Sequence, residues 1–279
     1  MADEGWWRTV WVGGEVRLPA DGCESAARGR GRTTFVADVH LRPGERAKEE
    51  ATLQFLRDQS PAGSRLFILG DFFDLWVGPR HHGLGEYDAV VEQLTALTRG
   101  GTEVYFLPGN RDFYGAGLLA RAIGADFIPS PRVFELDGLR VYVAHGDLLC
   151  ARDLRYRVGR GLVRNRVAEW LFLNFPLELS FYLAHGYRTL SRRLLGHRDA
   201  RVVHILPEVA GAIFAAGADV IVAGHVHRAE ERTFNRNGHS YRLFTLGDWS
   251  EEASYLELSA GTFTFRTCAT ALAAKEPKQ

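Results

Sequence analysis

Five short stretches carry side chains suited to chemistry: Asp38-Val39-His40, Gly70-Asp71 with Asp74 three residues on, Gly109-Asn110-Arg111-Asp112, His145-Gly146-Asp147 and Gly224-His225-Val226-His227. They follow, in turn, the apolar runs TTFVA, RLFIL, EVYFLP, LRVYVA and ADVIVA. One such stretch alone is ordinary, because Asp and His commonly cap and bridge loops and an Asn fits many turns. Together, and in this order, they form a ligand set of Asp38, His40, Asp71, Asn110, His145, His225 and His227. Two carboxylates, four imidazoles and one amide oxygen, with no thiolate, suit Mn, Fe, Zn or similar borderline ions rather than calcium. Seven donors exceed a single tetrahedral site, and with one carboxylate bridging they fill two. Paired ions about 3.5–4 Å apart lower the pKa of a shared water and clamp a phosphoryl oxygen during in-line attack.

For these residues to meet, their strands must bring their C-terminal ends together, the edge at which α/β sheets bind ligands. From Thr33 the chain alternates apolar strands with helical stretches. GERAKEEATLQFLRDQ and YDAVVEQLTALTRG read as helices, the second with Val90, Val91, Leu94 and Leu97 on one face. RLFTLGD, SYLELSA and TFTFRT add strands near the end, so two sheets packed face to face with helices outside are expected. From about Arg152 to Arg201 the strand rhythm stops in favour of an aromatic and arginine-rich helical stretch that Pro176 should divide. Such an insertion between strands is a candidate lid. Its aromatics Trp170, Phe172, Phe175, Phe181 and Tyr182 suit either the core of a helical subdomain or an acyl-chain cleft. The interleaved arginines suit either a solvated face or an anionic membrane surface.

The division expected is an extension over 1–32 with a flexible basic connector, a catalytic domain over 33–270 containing the insertion 152–201, and a tail over 271–279. The 279 residues carry 34 basic and 34 acidic side chains, which gives no support for bulk attraction to nucleic acid. Cys23, Cys150 and Cys268 form no CxxC pair, which fits a reducing compartment better than a disulfide framework. The acidic N-terminus lacks the apolar core of a signal peptide, and no run reaches about 18 apolar residues. A cytoplasmic location is expected, with no obligate protein partner.

The series D-x-H, G-D-x-x-D, G-N-x-D, H-G-D and G-H-x-H resembles the signature of the calcineurin-like metallophosphoesterases, from about Thr33 to Thr267. The resemblance implies an α/β (α+β) fold, a β-sandwich flanked by helices. It implies that Asp38, His40, Asp71 and His227 hold one divalent ion and that Asp71, Asn110, His145 and His225 hold the other. Most members place histidine after the asparagine, and here Arg111 stands there. Arginine cannot donate a proton near neutral pH, but its planar fork can neutralise a phosphoryl oxygen. That fits a leaving group needing little protonation, such as the phosphate side of a pyrophosphate. Asp112 is expected to orient a neighbouring ligand.

GNRDF, HGDLLCARDLRY and the helical insertion together resemble one branch, the UDP-2,3-diacylglucosamine hydrolases of lipid A synthesis. The branch implies a UDP-linked acylated sugar as substrate and two divalent cations, with Mn²⁺ the expected metal. It implies attack by metal-bound hydroxide, and release of UMP and 2,3-diacylglucosamine 1-phosphate. Catalytic roles would fall to Arg111, Asp71 and Asn110. Substrate contacts would fall to Asn110, Arg111, Asp153, Tyr156, Arg188, Ser191, Arg198 and His225. A peripheral position on the cytoplasmic face of the inner membrane follows from the same resemblance. Leu195 stands where the branch has a lid asparagine and Arg198 where it has a lysine, and LGDWSEE also departs from the pattern. Another nucleotide pyrophosphate or a phosphodiester is the alternative substrate for the same binuclear centre.

Overall fold

The computed structural model describes residues 23–25, 31–78, 85–150, 161, 163–195, 204–236 and 238–268. Two six-stranded sheets form its centre. The first contains β2 (Thr33–Val36), β3 (Arg65–Leu69), β4 (Glu103–Leu107), β5 (Asp126–Phe127), β11 (Ser254–Ser259) and β12 (Thr262–Thr267), in the order β12-β11-β2-β3-β4-β5. The second contains β1 (Cys23–Ser25), β6 (Arg132–Leu136), β7 (Leu139–Ala144), β8 (Val220–Ala223), β9 (Glu230–Arg236) and β10 (His239–Thr245), in the order β1-β6-β7-β8-β10-β9.

The central strands read as apolar runs because both of their faces are buried, and the period-2 alternation sorts their residues into two interiors. Phe35, Phe67, Leu69, Tyr105, Val141 and Val222 point between the sheets. Their neighbours Val36, Leu66, Ile68, Val104 and Phe106 point outward, under α1 (Arg46–Asp58) and α2 (Asp88–Arg99). On the far side Tyr142, Ala144, Ile221 and Ala223 meet α7 (Pro207–Ala215) through Ala210, Ile213 and Phe214. The order of layers is therefore helix, sheet, sheet, helix. The four residues expected to form the apolar face of α2 are its buried residues.

β2, β3 and β4 are mutually parallel, as are β7 and β8, so within each sheet the ligand-bearing ends lie together. After β4 comes α3 (Ala116–Ala122), and after β7 a single turn, α4 (Asp147–Cys150). Between β7 and β8 the described part of the insertion forms α5 (Arg166–Asn174) and α6 (Leu177–Leu195). Asn165 caps α5 by accepting from the Ala168 N–H at 2.9 Å. The helix ends at Phe175, which is extended because it precedes Pro176, so the proline divides the stretch as its chemistry requires. Within 1–32, expected as an N-terminal extension, Cys23–Ser25 forms a strand parallel to β6.

Candidate metal centre

At the ligand-bearing ends, loops between the two sheets and within one of them approach too closely for side chains larger than hydrogen. A Cβ on Gly224 would stand 2.5 Å from the Ala37 Cβ and 2.6 Å from Asp38 Oδ2. One on Gly109 would run into Asp71 Oδ1. These glycines let the loops after β2 and β8, and after β3 and β4, lie against one another. The backbone at the site is itself unusual. Among the described residues seven non-glycine positions have positive φ, and five of these are Asp38, His40, Asp71, His225 and His227, at 51° to 69°. Asp and His tolerate this region better than most residues, and such outliers gather at functional sites.

The side chains form one cluster. His227 Nε2 lies 3.3 Å from Asp38 Oδ1 and 3.2 Å from His40 Nε2. His40 Nδ1 stands 4.0 Å from Asp71 Oδ2, and His145 Nε2 stands 3.8 Å from Asp71 Oδ1. Asn110 Nδ2 is 3.5 Å from His225 Nδ1. Two triads, Asp38-His40-His227 and Asp38-Asp71-His145, have donor atoms all within 4.8 Å of one another, the spacing that a shared ion requires. The seven residues singled out in the sequence are thus brought together. Asp153, Tyr156 and Arg198 lie outside the described residues, and Arg188 and Ser191 belong to α6 with side chains outside them.

The donor set fits divalent cations. Asp38 Oδ1, His40 Nδ1 and His145 Nε2 are buried without hydrogen bonds, an expensive condition unless another partner fills it. The Nδ1 of His145 donates to the Leu69 carbonyl at 2.9 Å, so the Nε2 lone pair faces the cluster. Burial, reinforced by Arg111, pushes His40 down to about 2, and burial with the nearby His145 takes His225 down to about 4. Both shifts favour the neutral imidazole, the form that binds metal. Burial works against ionising Asp38, but His227 and the other imidazoles outweigh it and hold the carboxyl well below its usual range. Burial raises Asp71, with Asp38 adding to the effect. For His145 burial is outweighed by Asp71 and Asp38, which raise it. Asp38 and Asp71 disfavour each other's ionisation, and a cation between them would relieve that repulsion.

Around the cluster lies a supporting shell. Asp112 accepts from the N–H groups of Phe72 at 2.8 Å, Gly109 at 2.8 Å and Asp71 at 3.2 Å, tying the β3 and β4 loops together. The Arg111 N–H donates to Asp71 Oδ1 at 2.9 Å. Its guanidinium pairs with Asp74 and stands 3.5 Å from Asp71 Oδ2 through Nε. Asp74 is held from its other side by Arg42 Nε at 3.2 Å. Asp248, 3.7 Å from His227 Nδ1, was not singled out in the sequence. Its signal was the Gly247-Asp248 pair after β10, which repeats the Gly70-Asp71 pattern.

The helical insertion packs on this shell. Phe172 is buried and stacks on Tyr114 with centroids 4.1 Å apart. Trp170 and Tyr182 are 64% and 75% exposed, so the insertion's aromatics divide between an interior and a surface. No helix among the described residues is long and apolar enough to cross a membrane.

Comparison with known proteins agrees with this geometry. Residues 31–229 match the calcineurin-like phosphoesterase family. A UDP-2,3-diacylglucosamine hydrolase of Histophilus somni is 32% identical over 235 residues, covering 84% of this chain and 99% of its own. That of Stenotrophomonas maltophilia is 34% identical, covering 85% of this chain and 98% of its own. That of Sodalis glossinidius is 36% identical, covering 81% and 94%. With its ligand cluster at the meeting ends of two sheets and relatives matched over almost their whole length, the chain belongs to the calcineurin-like phosphoesterase family, alongside the UDP-2,3-diacylglucosamine hydrolases.

Proposed function

We propose that the protein hydrolyses the pyrophosphate of UDP-2,3-diacylglucosamine, giving UMP and 2,3-diacylglucosamine 1-phosphate. The observation that carries the reading is the cluster of buried donor atoms without hydrogen bonds at Asp38, His40 and His145. Asp38, His40, Asp71 and His227 would hold one divalent ion, and Asp71, Asn110, His145 and His225 a second, with Mn²⁺ the metal proposed for both. When bound, such a pair lowers the pKa of water and neutralises phosphoryl charge. Asp71 would bridge, since its two oxygens face His145 and His40 on opposite sides.

Arg111 would meet the phosphoryl oxygens. Its pairing with Asp74 fixes the guanidinium beside Asp71, so charge stabilisation is preorganised rather than recruited. Residues 33–270 would constitute the catalytic domain and 152–201 its lid, with Asp153, Tyr156, Arg188, Ser191 and Arg198 as further substrate contacts. The exposed Val167, Trp170, Leu171, Leu179, Tyr182 and Leu183 of the lid support peripheral contact with the cytoplasmic face of the inner membrane.

A panel of UDP-sugars with and without acyl chains, assayed with Mn²⁺, tests the reading. The diacylated substrate should be cleaved with far higher kcat/KM than UDP-N-acetylglucosamine. Equal rates on both would leave a binuclear phosphoesterase without lipid specificity.

A further inference from the structure

Arg164 belongs to the lid by sequence, yet its side chain is only 12% exposed and reaches the loops that carry the ligands. Its Nη2 donates to the Gly109 carbonyl at 2.6 Å and stands 4.0 Å from Asp147 Oδ2. The guanidinium carbon lies 4.6 Å from the centre of the Phe113 ring. Gly109 precedes Asn110, and Asp147 follows His145 by two residues, so one guanidinium spans the loops after β4 and β7. Those loops belong to different sheets.

Gly109 has little freedom of its own. Its N–H donates to Asp112 at 2.8 Å, its Cα faces Asp71 without room for a Cβ, and its carbonyl is held by Arg164. Rotating that peptide would swing Asn110 away from His225. Val163 and Glu169, on either side of the start of α5, are seated on the same loop. The Tyr114 hydroxyl donates to the Val163 carbonyl at 2.9 Å, and the Gly115 N–H donates to Glu169 Oε1 at 3.0 Å. Asn110, Phe113, Tyr114 and Gly115 thus share one short segment, with the ligand at one end and the lid's footing at the other.

We propose that Arg164 is a positioning residue that couples seating of the lid to the Asn110–His145 half of the metal centre. The proposal rests on the two-ion reading of that centre. Since coupling between two sites is reciprocal, a cation bound at Asn110 and His145 tightens the seating of α5, and a seated α5 raises affinity for that cation. Arg164 reaches Gly109, Asp147 and Phe113, all beside Asn110 and His145, so the Asp38-His40-His227 side should not respond.

The test is titration of the metal-free full chain with Mn²⁺, following free Mn²⁺ by its electron paramagnetic resonance signal. Wild type should take up two ions. Arg164→Gln should still take up two, one with unchanged affinity and one weakened about 10- to 100-fold, the usual effect of removing a group that orients ligands. Arg164→Lys, which keeps the charge without the fork, should recover part of the loss. Two ions bound by Arg164→Gln with wild-type affinity would overturn the coupling. Should that variant not fold, hydrogen exchange on the wild type decides: Mn²⁺ should slow exchange across Arg166–Asn174, and unchanged exchange there overturns the proposal. A wild type that bound no ion would instead remove the centre itself, a result distinct from two intact ions and an indifferent variant.

Discussion

At the scale of residues, the ligand cluster depends on side chains that would never touch substrate. Asp112 is fully buried and spends its carboxylate on three backbone N–H groups from two loops. Asp112→Ala would orphan all three, at about 1–3 kcal/mol for each buried donor left unpaired. Its melting temperature should fall, and Mn²⁺ affinity should drop by about 10- to 100-fold. A variant with wild-type melting and metal uptake would mean the loops hold themselves in place. Arg111 sits differently, with part of its guanidinium open to the site. Arg111→Ala should depress kcat by roughly 10²–10³-fold, the scale for a lost charge-stabilising donor, and lysine should restore only part. A change confined to KM would make Arg111 a ground-state binding residue. The ligands themselves were legible in the sequence because metal chemistry restricts residue type so narrowly. Arg164 and Arg42 were not, because an arginine carries no sign of which loop it will meet across more than 30 residues of chain.

At the scale of elements, the centre works by close approach of strand ends. Gly224→Ala would insert a methyl between Ala37 and Asp38, where the distances leave no space. Overpacking of this kind costs typically 1–3 kcal/mol and here would push the β2 and β8 loops apart. The expected result is a lowered melting temperature together with weakened Mn²⁺ binding, whereas Gly211→Ala inside α7, where a Cβ meets open space, should leave Mn²⁺ binding unchanged and raise the melting temperature slightly through helix propensity. Comparable loss in both variants would point to a general effect on folding. The apolar central strands could be read because they are buried on both faces. β9 could not, since Glu230–Arg236 is a largely exposed, polar edge strand with Phe234 as its main apolar anchor. β6 went unread although Asp137-Gly138 signals a two-residue hairpin, with both residues at positive φ joining β6 to β7. β1 holds only three residues and exists through its pairing with β6.

At the scale of the whole molecule, two sheets, their outer helices and a helical insertion converge on one polar cluster. Chelation should abolish turnover, and added Mn²⁺ should restore it while raising the melting temperature by mass action on the folded state. Shortening an acyl chain that the protein buries should cost about 0.8 kcal/mol for each CH₂ removed, roughly fourfold in kcat/KM. On the proposed function, the cluster directs water at a nucleotide pyrophosphate bond. No Ser or Cys in the five ligand stretches offers a covalent route. The most direct measurement is cleavage of UDP-2,3-diacylglucosamine in ¹⁸O-water with Mn²⁺, followed by mass spectrometry of both products. The expected result is one ¹⁸O in UMP and none in the diacylglucosamine 1-phosphate, as attack on the phosphorus next to uridine requires. Label found only in the lipid phosphate, or no cleavage by a protein that has taken up two ions, would contradict it.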